Sequence, residues 1–149
     1  MAESDLIKLY SGRILALATE IPHAGRLEAP MASVRRRSPL CGSTVTVDLD
    51  VEGGRVSRFA QEVKACALGQ AAAAVLGGVV IGRDRATLET ALAELRAMLK
   101  SDGPVPGAPF DGYEVLLPAR DYKNRHASIL LALEATVEAM AAAEAAACA

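Results

Sequence analysis

Aromatic residues are nearly missing from this 149-residue chain: tryptophan is absent, and all aromatics together make up 3% of it. The core must therefore be filled by aliphatic side chains and alanine, which pack closely but bury little area each. An excess of charge of one sign is also lacking. The formal net charge is −2, which argues against nucleic acid as a bulk electrostatic partner. Long apolar runs are missing too. The stretch Ala71-Ala72-Ala73-Ala74-Val75-Leu76 stops at Gly77-Gly78, far short of the roughly 20 residues that cross a bilayer. The opening residues Met1-Ala2-Glu3-Ser4-Asp5 are acidic and lead into no apolar run, so neither a secretory nor a transit segment is expected. These absences predict a soluble, cytoplasmic protein without a membrane partner.

Sulfur is sparse as well. The three cysteines are Cys41, Cys66 and Cys148. An odd count in a reducing compartment suits thiols, metal ligands or reactive groups better than disulfides. The chain has no phosphate-cradling glycine loop, no nucleophile elbow and no paired-cysteine zinc-finger spacing. No acid–base pair accompanies the thiols, so the protein is not expected to be an enzyme.

What is present reads as one domain over residues 1–149, with 52% apolar residues. Leu6, Leu9, Tyr10, Ile14 and Leu17 recur at helical spacing behind Ser4 or Asp5 as N-cap. Pro22, Gly25 and Pro30 then break regularity, and residues 21–40 read as a long loop that carries Arg35-Arg36-Arg37. From Thr44 to Val51 apolar and polar residues alternate, with Val45, Val47, Leu49 and Val51 on one face. That is the pattern of a strand with one buried side. Thr44, Thr46, Asp48 and Asp50 fall on the other face, where solvent is the default expectation. Glu52-Gly53-Gly54-Arg55 makes a hairpin turn, and the return strand runs from about Val56 to Val63, with Phe59 and Val63 inward. Two strands alone are marginal, so a third is expected, from the segment Ala29–Arg37.

Helices follow. One starts after Cys66 and ends or bends at Gly77-Gly78; a second opens near Thr87 and closes at Ser101-Asp102-Gly103. Pro104, Pro106 and Pro109 mark a rigid loop. A last helix begins near Tyr122 or His126 and runs into the alanine-rich tail, with Glu134 and Glu138 facing water. A helix, a hairpin-based sheet and then segregated helices make an α+β arrangement.

Two cysteines converge in this scheme. Cys41 lies at the mouth of the first hairpin strand, and Cys66 lies where the second hands over to a helix. The hairpin brings these ends together. A thiol at a helix N-terminus also feels the macrodipole, which favours thiolate, the form that binds metal or attacks sulfur. The plainer alternative is that each is a small buried hydrophobe. Two thiolates do not fill a tetrahedral shell, and His126, at the start of the last helix, is the third candidate. His23 has no companion and reads as surface; Cys148 reads as an exposed, inert thiol.

The ordered set of features resembles the NifU/IscU-type iron–sulfur cluster assembly scaffolds. Cys41-Gly42 follows a proline and precedes an alternating strand; a glycine-bearing hairpin comes next, and Cys66 opens an alanine-rich helix. The block from Gly82 to Leu92 is similar to the family's stretch between its second and third cysteines, and His126-Ala127-Ser128-Ile129-Leu130 is similar to its third-ligand motif. The resemblance implies a three-stranded antiparallel sheet with helices packed on one side. It also implies a site that receives sulfur from a cysteine desulfurase, assembles a transient [2Fe–2S] cluster for recipient apoproteins, and binds zinc when isolated. Carried over, Cys41 and Cys66 match the first two ligands and His126 matches the histidine before the third. Ala127 stands where the family has its third cysteine, and Ser43 where it has an aspartate. The expected function is a scaffold or carrier holding iron or a labile cluster through Cys41 and Cys66, with help from His126. A homodimer giving four thiolates could complete the shell. The alternative is a degenerate homologue that binds a cysteine desulfurase or zinc without assembling clusters, with Arg35–Arg37 as a contact.

Overall fold

The computed structural model of the chain describes residues 12–39 and 42–148, with side chains described through residue 146. Leu6, Leu9 and Tyr10 of the first apolar stripe lie outside the described residues. The stripe continues in helix α1, Gly12–Thr19, where Ile14 is fully buried.

Three strands follow, β1 (Ala32–Arg37), β2 (Thr44–Glu52) and β3 (Arg55–Lys64), paired antiparallel in the order β1-β2-β3. The expected third strand therefore exists, and the arginine run is part of it rather than of a loop. Strand alternation separates the three arginines. Arg35 and Arg37 are exposed, whereas Arg36 reaches Glu138 at 3.2 Å. Val45, Val47 and Leu49 of β2 are buried as the alternation predicted. Gly53 and Gly54 close the hairpin with φ of +59° and +77°. A two-residue turn with both central φ positive matches the strands' twist, and glycine adopts it without a Cβ penalty.

Helix α2 (Ala67–Gly77), helix α3 (Arg85–Lys100) and helix α4 (His126–Cys148) follow the sheet. Helix α3 starts slightly earlier than its apolar spacing suggested, because the Asp84 carboxylate accepts a hydrogen bond of 2.8 Å from the Thr87 amide and caps it. Helix α4 lies against β1, β2, α2 and α3, and α1 packs on α2. The helices thus cover one face of the sheet. Gly77 ends α2 for reasons of space: a Cβ there would come within 2.8 Å of Gln61 Nε2 and 2.9 Å of the Pro22 carbonyl oxygen. Between α3 and α4 the chain forms two 3-10 segments, Asp111–Asp121 and Lys123–Arg125. Among the described residues no helix is long and apolar enough to cross a membrane.

The uncovered face departs from expectation at Asp48. Its side chain is fully buried, and the Arg26 guanidinium donates to both carboxylate oxygens, at 2.7 and 3.2 Å, while the Leu27 amide donates at 3.0 Å. The segment before β1 folds over this side of β2, and the carboxylate anchors it. Burial pushes the Asp48 pKa upward, but the hydrogen bonds from Arg26, Ser33 and Leu27, with the charge of Arg26, outweigh burial and hold it below the usual carboxylate value. His23, read as plain surface, also has a structural part. It adopts φ of +59°, accepts the Gln61 amide on its carbonyl at 2.9 Å, and sets its ring edge-on to Phe59.

Candidate functional site

The end of the sheet opposite the Gly53-Gly54 turn gathers three segments that are distant in sequence. The first is the β1–β2 connection. The Ser38 amide donates to the Ser43 carbonyl and the Gly42 amide to the Ser38 carbonyl, both at 2.8 Å, and Gly42 takes φ of +73°. Leu40 and Cys41 lie outside the described residues; Ser38, Gly42 and Ser43 around them make these two bonds. The second is the step from β3 into α2. Lys64 pairs with Thr44 at the end of the sheet, so residues 65 and 66 emerge beside the β1–β2 turn. Cys66 is the N-cap of α2, in extended conformation. The third is the first turn of α4, which carries His126, Ala127 and Ser128.

Side chains tie the three together. Ser128 Oγ lies 3.6 Å from Cys66 Sγ and 3.1 Å from Ser43 Oγ. Ser43 and Ser128 are buried, and Cys66 is half-buried. The close approach of α2 and α4 depends on Gly69, since a Cβ there would overlap Ser128 Oγ and come within 2.8 Å of Ala65 Cβ.

The surroundings of Cys66 ease ionisation of its sulfur. Burial acts on Cys66 to raise its pKa, but the amides of Gly69 and Leu68, the Ser128 hydroxyl and the Arg125 side chain together bring it below the ordinary thiol value. The thiol closes no hydrogen bond of capping geometry, so the amides act as aligned dipoles at the helix start. The sequence expectation for Cys66, a thiol at a helix N-terminus, thus has its physical counterpart.

His126 sits nearby in the chain but is held differently. It is buried, and Nε2 faces the carbonyl oxygens of Ala119 at 3.1 Å and Arg120 at 3.0 Å. Carbonyls only accept, so Nε2 carries a proton, and in the neutral ring Nδ1 is the nitrogen with a lone pair. His126 borders a cavity of about 290 Å³ with Lys100 and Lys123. Among the described residues, no three His, Cys, Asp or Glu side chains converge to hold a metal ion. Cys148 ends α4, and its side chain is outside the described set.

Sequence reasoning missed Ser128 and Arg125. Their one visible signal was position, in the turn just before and just inside the last helix, beside His126. Ser43 was noticed as a departure from a family pattern, but its contact with Ser128 was not legible.

No family model and no curated protein matches this chain by sequence. Solved structures do. A nitrogen-fixing NifU-like protein (N-terminal part) from Brucella abortus is 42% identical, with a TM-score of 0.91 over 95% of this chain and 98% of the other. A protein assigned as an iron–sulfur cluster assembly scaffold for the SUF system of Fervidobacterium islandicum aligns with a TM-score of 0.79 over 90% of this chain and 98% of the other. At 18% identity that second likeness speaks for the fold alone.

Proposed function

We propose, since this chain belongs to the NifU-like family, that it is a non-enzymatic scaffold or carrier that holds iron or a labile iron–sulfur cluster through Cys41 and Cys66. The observation that carries this reading is the hydroxyl bridge at the end of the sheet. Ser43, two residues after Cys41, touches Ser128, and Ser128 touches Cys66. The turn that bears one thiol is thereby tied to the helix start that bears the other.

The chemistry of the donors suits this cargo. A thiolate binds iron and zinc well, and the dipoles and donors around Cys66 lower its pKa toward that form. Two thiolates leave a shell incomplete. His126 can contribute through Nδ1, and a second copy of the chain can contribute its own pair of thiolates for a Cys₄ set around a [2Fe–2S] cluster. Zinc is the cargo to expect when sulfide is absent. A cysteine desulfurase would supply the sulfur, and recipient apoproteins would take the cluster.

Anaerobic reconstitution with iron and sulfide tests the reading. A visible chromophore that Cys41→Ala or Cys66→Ser abolishes is expected. A colourless protein under these conditions would remove the scaffold role. Ala127 and Ser43, which provide neither thiolate nor carboxylate, favour a second reading. In it the chain binds a desulfurase or zinc without assembling clusters, with Arg35 and Arg37 exposed on β1 as contacts. Desulfurase binding that survives loss of both thiols, with no chromophore, is its signature. An unchanged metal content and spectrum in His126→Ala would remove His126 from the ligand set.

A further inference from the structure

We propose that Ser128, held by Ser43, sets how tightly Cys66 grips its cargo: in the loaded site the Ser128 hydroxyl donates to the metal-bound sulfur, weakens it as a ligand and favours release. The inference rests on the holding role proposed above and concerns the release step of the same site.

The direction of the hydrogen bonds follows from the atoms. A metal-bound sulfur is a thiolate and can only accept, so in the loaded site the Ser128 hydroxyl, 3.6 Å from it, is the donor. Its oxygen is then free to accept from Ser43 Oγ at 3.1 Å, which points the Ser128 proton at sulfur. Ser43 is 5% exposed and Ser128 3%, so water scarcely competes for either hydroxyl. Gly69 leaves the space that Ser128 Oγ occupies.

A donor aimed at sulfur withdraws electron density from the lone pairs that bind metal. Hydrogen bonds to sulfur are one of the levers that set the electronic properties of thiolate-bound iron. Such weakening would be a defect in a storage site. It suits a site that must pass its cargo on.

Cobalt(II) is the probe, because a thiolate-to-cobalt absorption band reports directly on the sulfur. The full-length protein is loaded with cobalt(II) and challenged with excess EDTA, and both band position and loss rate are read. With Ser128→Ala the band is expected at longer wavelength and cobalt loss about tenfold slower. Ser43→Ala should shift both in the same direction by less. Alanine is a strong helix former, and a thermal melt of each apo-variant checks that the fold is kept. If Ser128→Ala leaves the band and the rate unchanged, while Cys66→Ser removes the band, the inference fails and the holding role stands. Faster loss with an unshifted band would make Ser128 a packing residue and also overturn it. If wild-type protein shows no Cys66-dependent band, the holding role itself fails and the inference goes with it.

Discussion

The two ends of the sheet are closed in opposite ways. At one end Gly53 and Gly54 turn the chain in two residues, and backbone hydrogen bonds continue outward, from the Val56 amide to the Arg83 carbonyl at 3.0 Å and from the Gly82 amide to the Val56 carbonyl at 2.8 Å. Those partners are satisfied and have nothing to offer a ligand. At the other end Ser43, Cys66 and Ser128 meet through side chains that arrive from three separate segments. Their contacts are a long sulfur–oxygen approach and a hydroxyl pair, and the half-buried sulfur keeps lone pairs to offer a metal. The same sheet thus has one end closed by backbone and one by side chains, and the proposed site lies at the second.

Substitutions can break or sharpen this contrast. The largest effect is expected from Cys66→Ser, which should abolish thiolate-dependent metal or cluster binding while changing stability by about 1 kcal/mol or less, as read by absorption and denaturant unfolding. Arg26→Ala comes next. It lies at neither end, and it leaves the buried Asp48 carboxylate without its guanidinium. The Asp48 pKa is depressed in the folded protein, so the stability it contributes is present above the unfolded carboxylate value and is lost as pH falls through the folded value. Without Arg26 that depression shrinks, so the stability lost should be largest near neutral pH and should shrink as pH falls and Asp48 is protonated, as read by denaturant unfolding across pH.

Gly69→Ala should cost about 1–2 kcal/mol, overpacking against Ser128 being partly offset by better helix propensity. It should also disturb the cobalt spectrum, because it strikes the site end. Gly54→Ala should cost about 1 kcal/mol through its positive φ and leave the spectrum untouched. That pair of results is the sharpest test of the contrast between the ends. Arg36→Ala, which removes an exposed ion pair with Glu138, should change stability by about 0.5 kcal/mol or less.

Much of the framework was legible in the residues. The alternation from Val45 to Val51, the Gly53-Gly54 turn, the helix after Cys66 and the third strand all exist as read, because each rests on a local period or a local steric rule. Asp48 was misread for a definite reason. Alternation tells which face a residue is on, but not that residues 26 and 27 fold back over that face. Glu138 is exposed as read, and Glu134 partly so; their ion pairs with Arg36 and Arg96 at 3.2 and 3.3 Å were not legible, because partners from distant segments leave no periodic signal. The 3-10 segment Asp111–Asp121, which contains Pro118, was also not anticipated, since a tight helix of this kind has no strong apolar spacing.

By itself the sequence determined the strand and helix order, the place of Cys66 at a helix start, and the absence of a ligating side chain at Ala127. These depend on side-chain period, turn chemistry and residue identity, all of which are properties of neighbours in the chain. The tertiary structure alone decided that Ser43 and Ser128 bridge toward Cys66, that Gly69 makes room for them, and that His126 Nε2 is committed to two carbonyls. Those facts depend on distances of a few ångströms between residues scores of positions apart, which only the packing of α2 and α4 against each other sets.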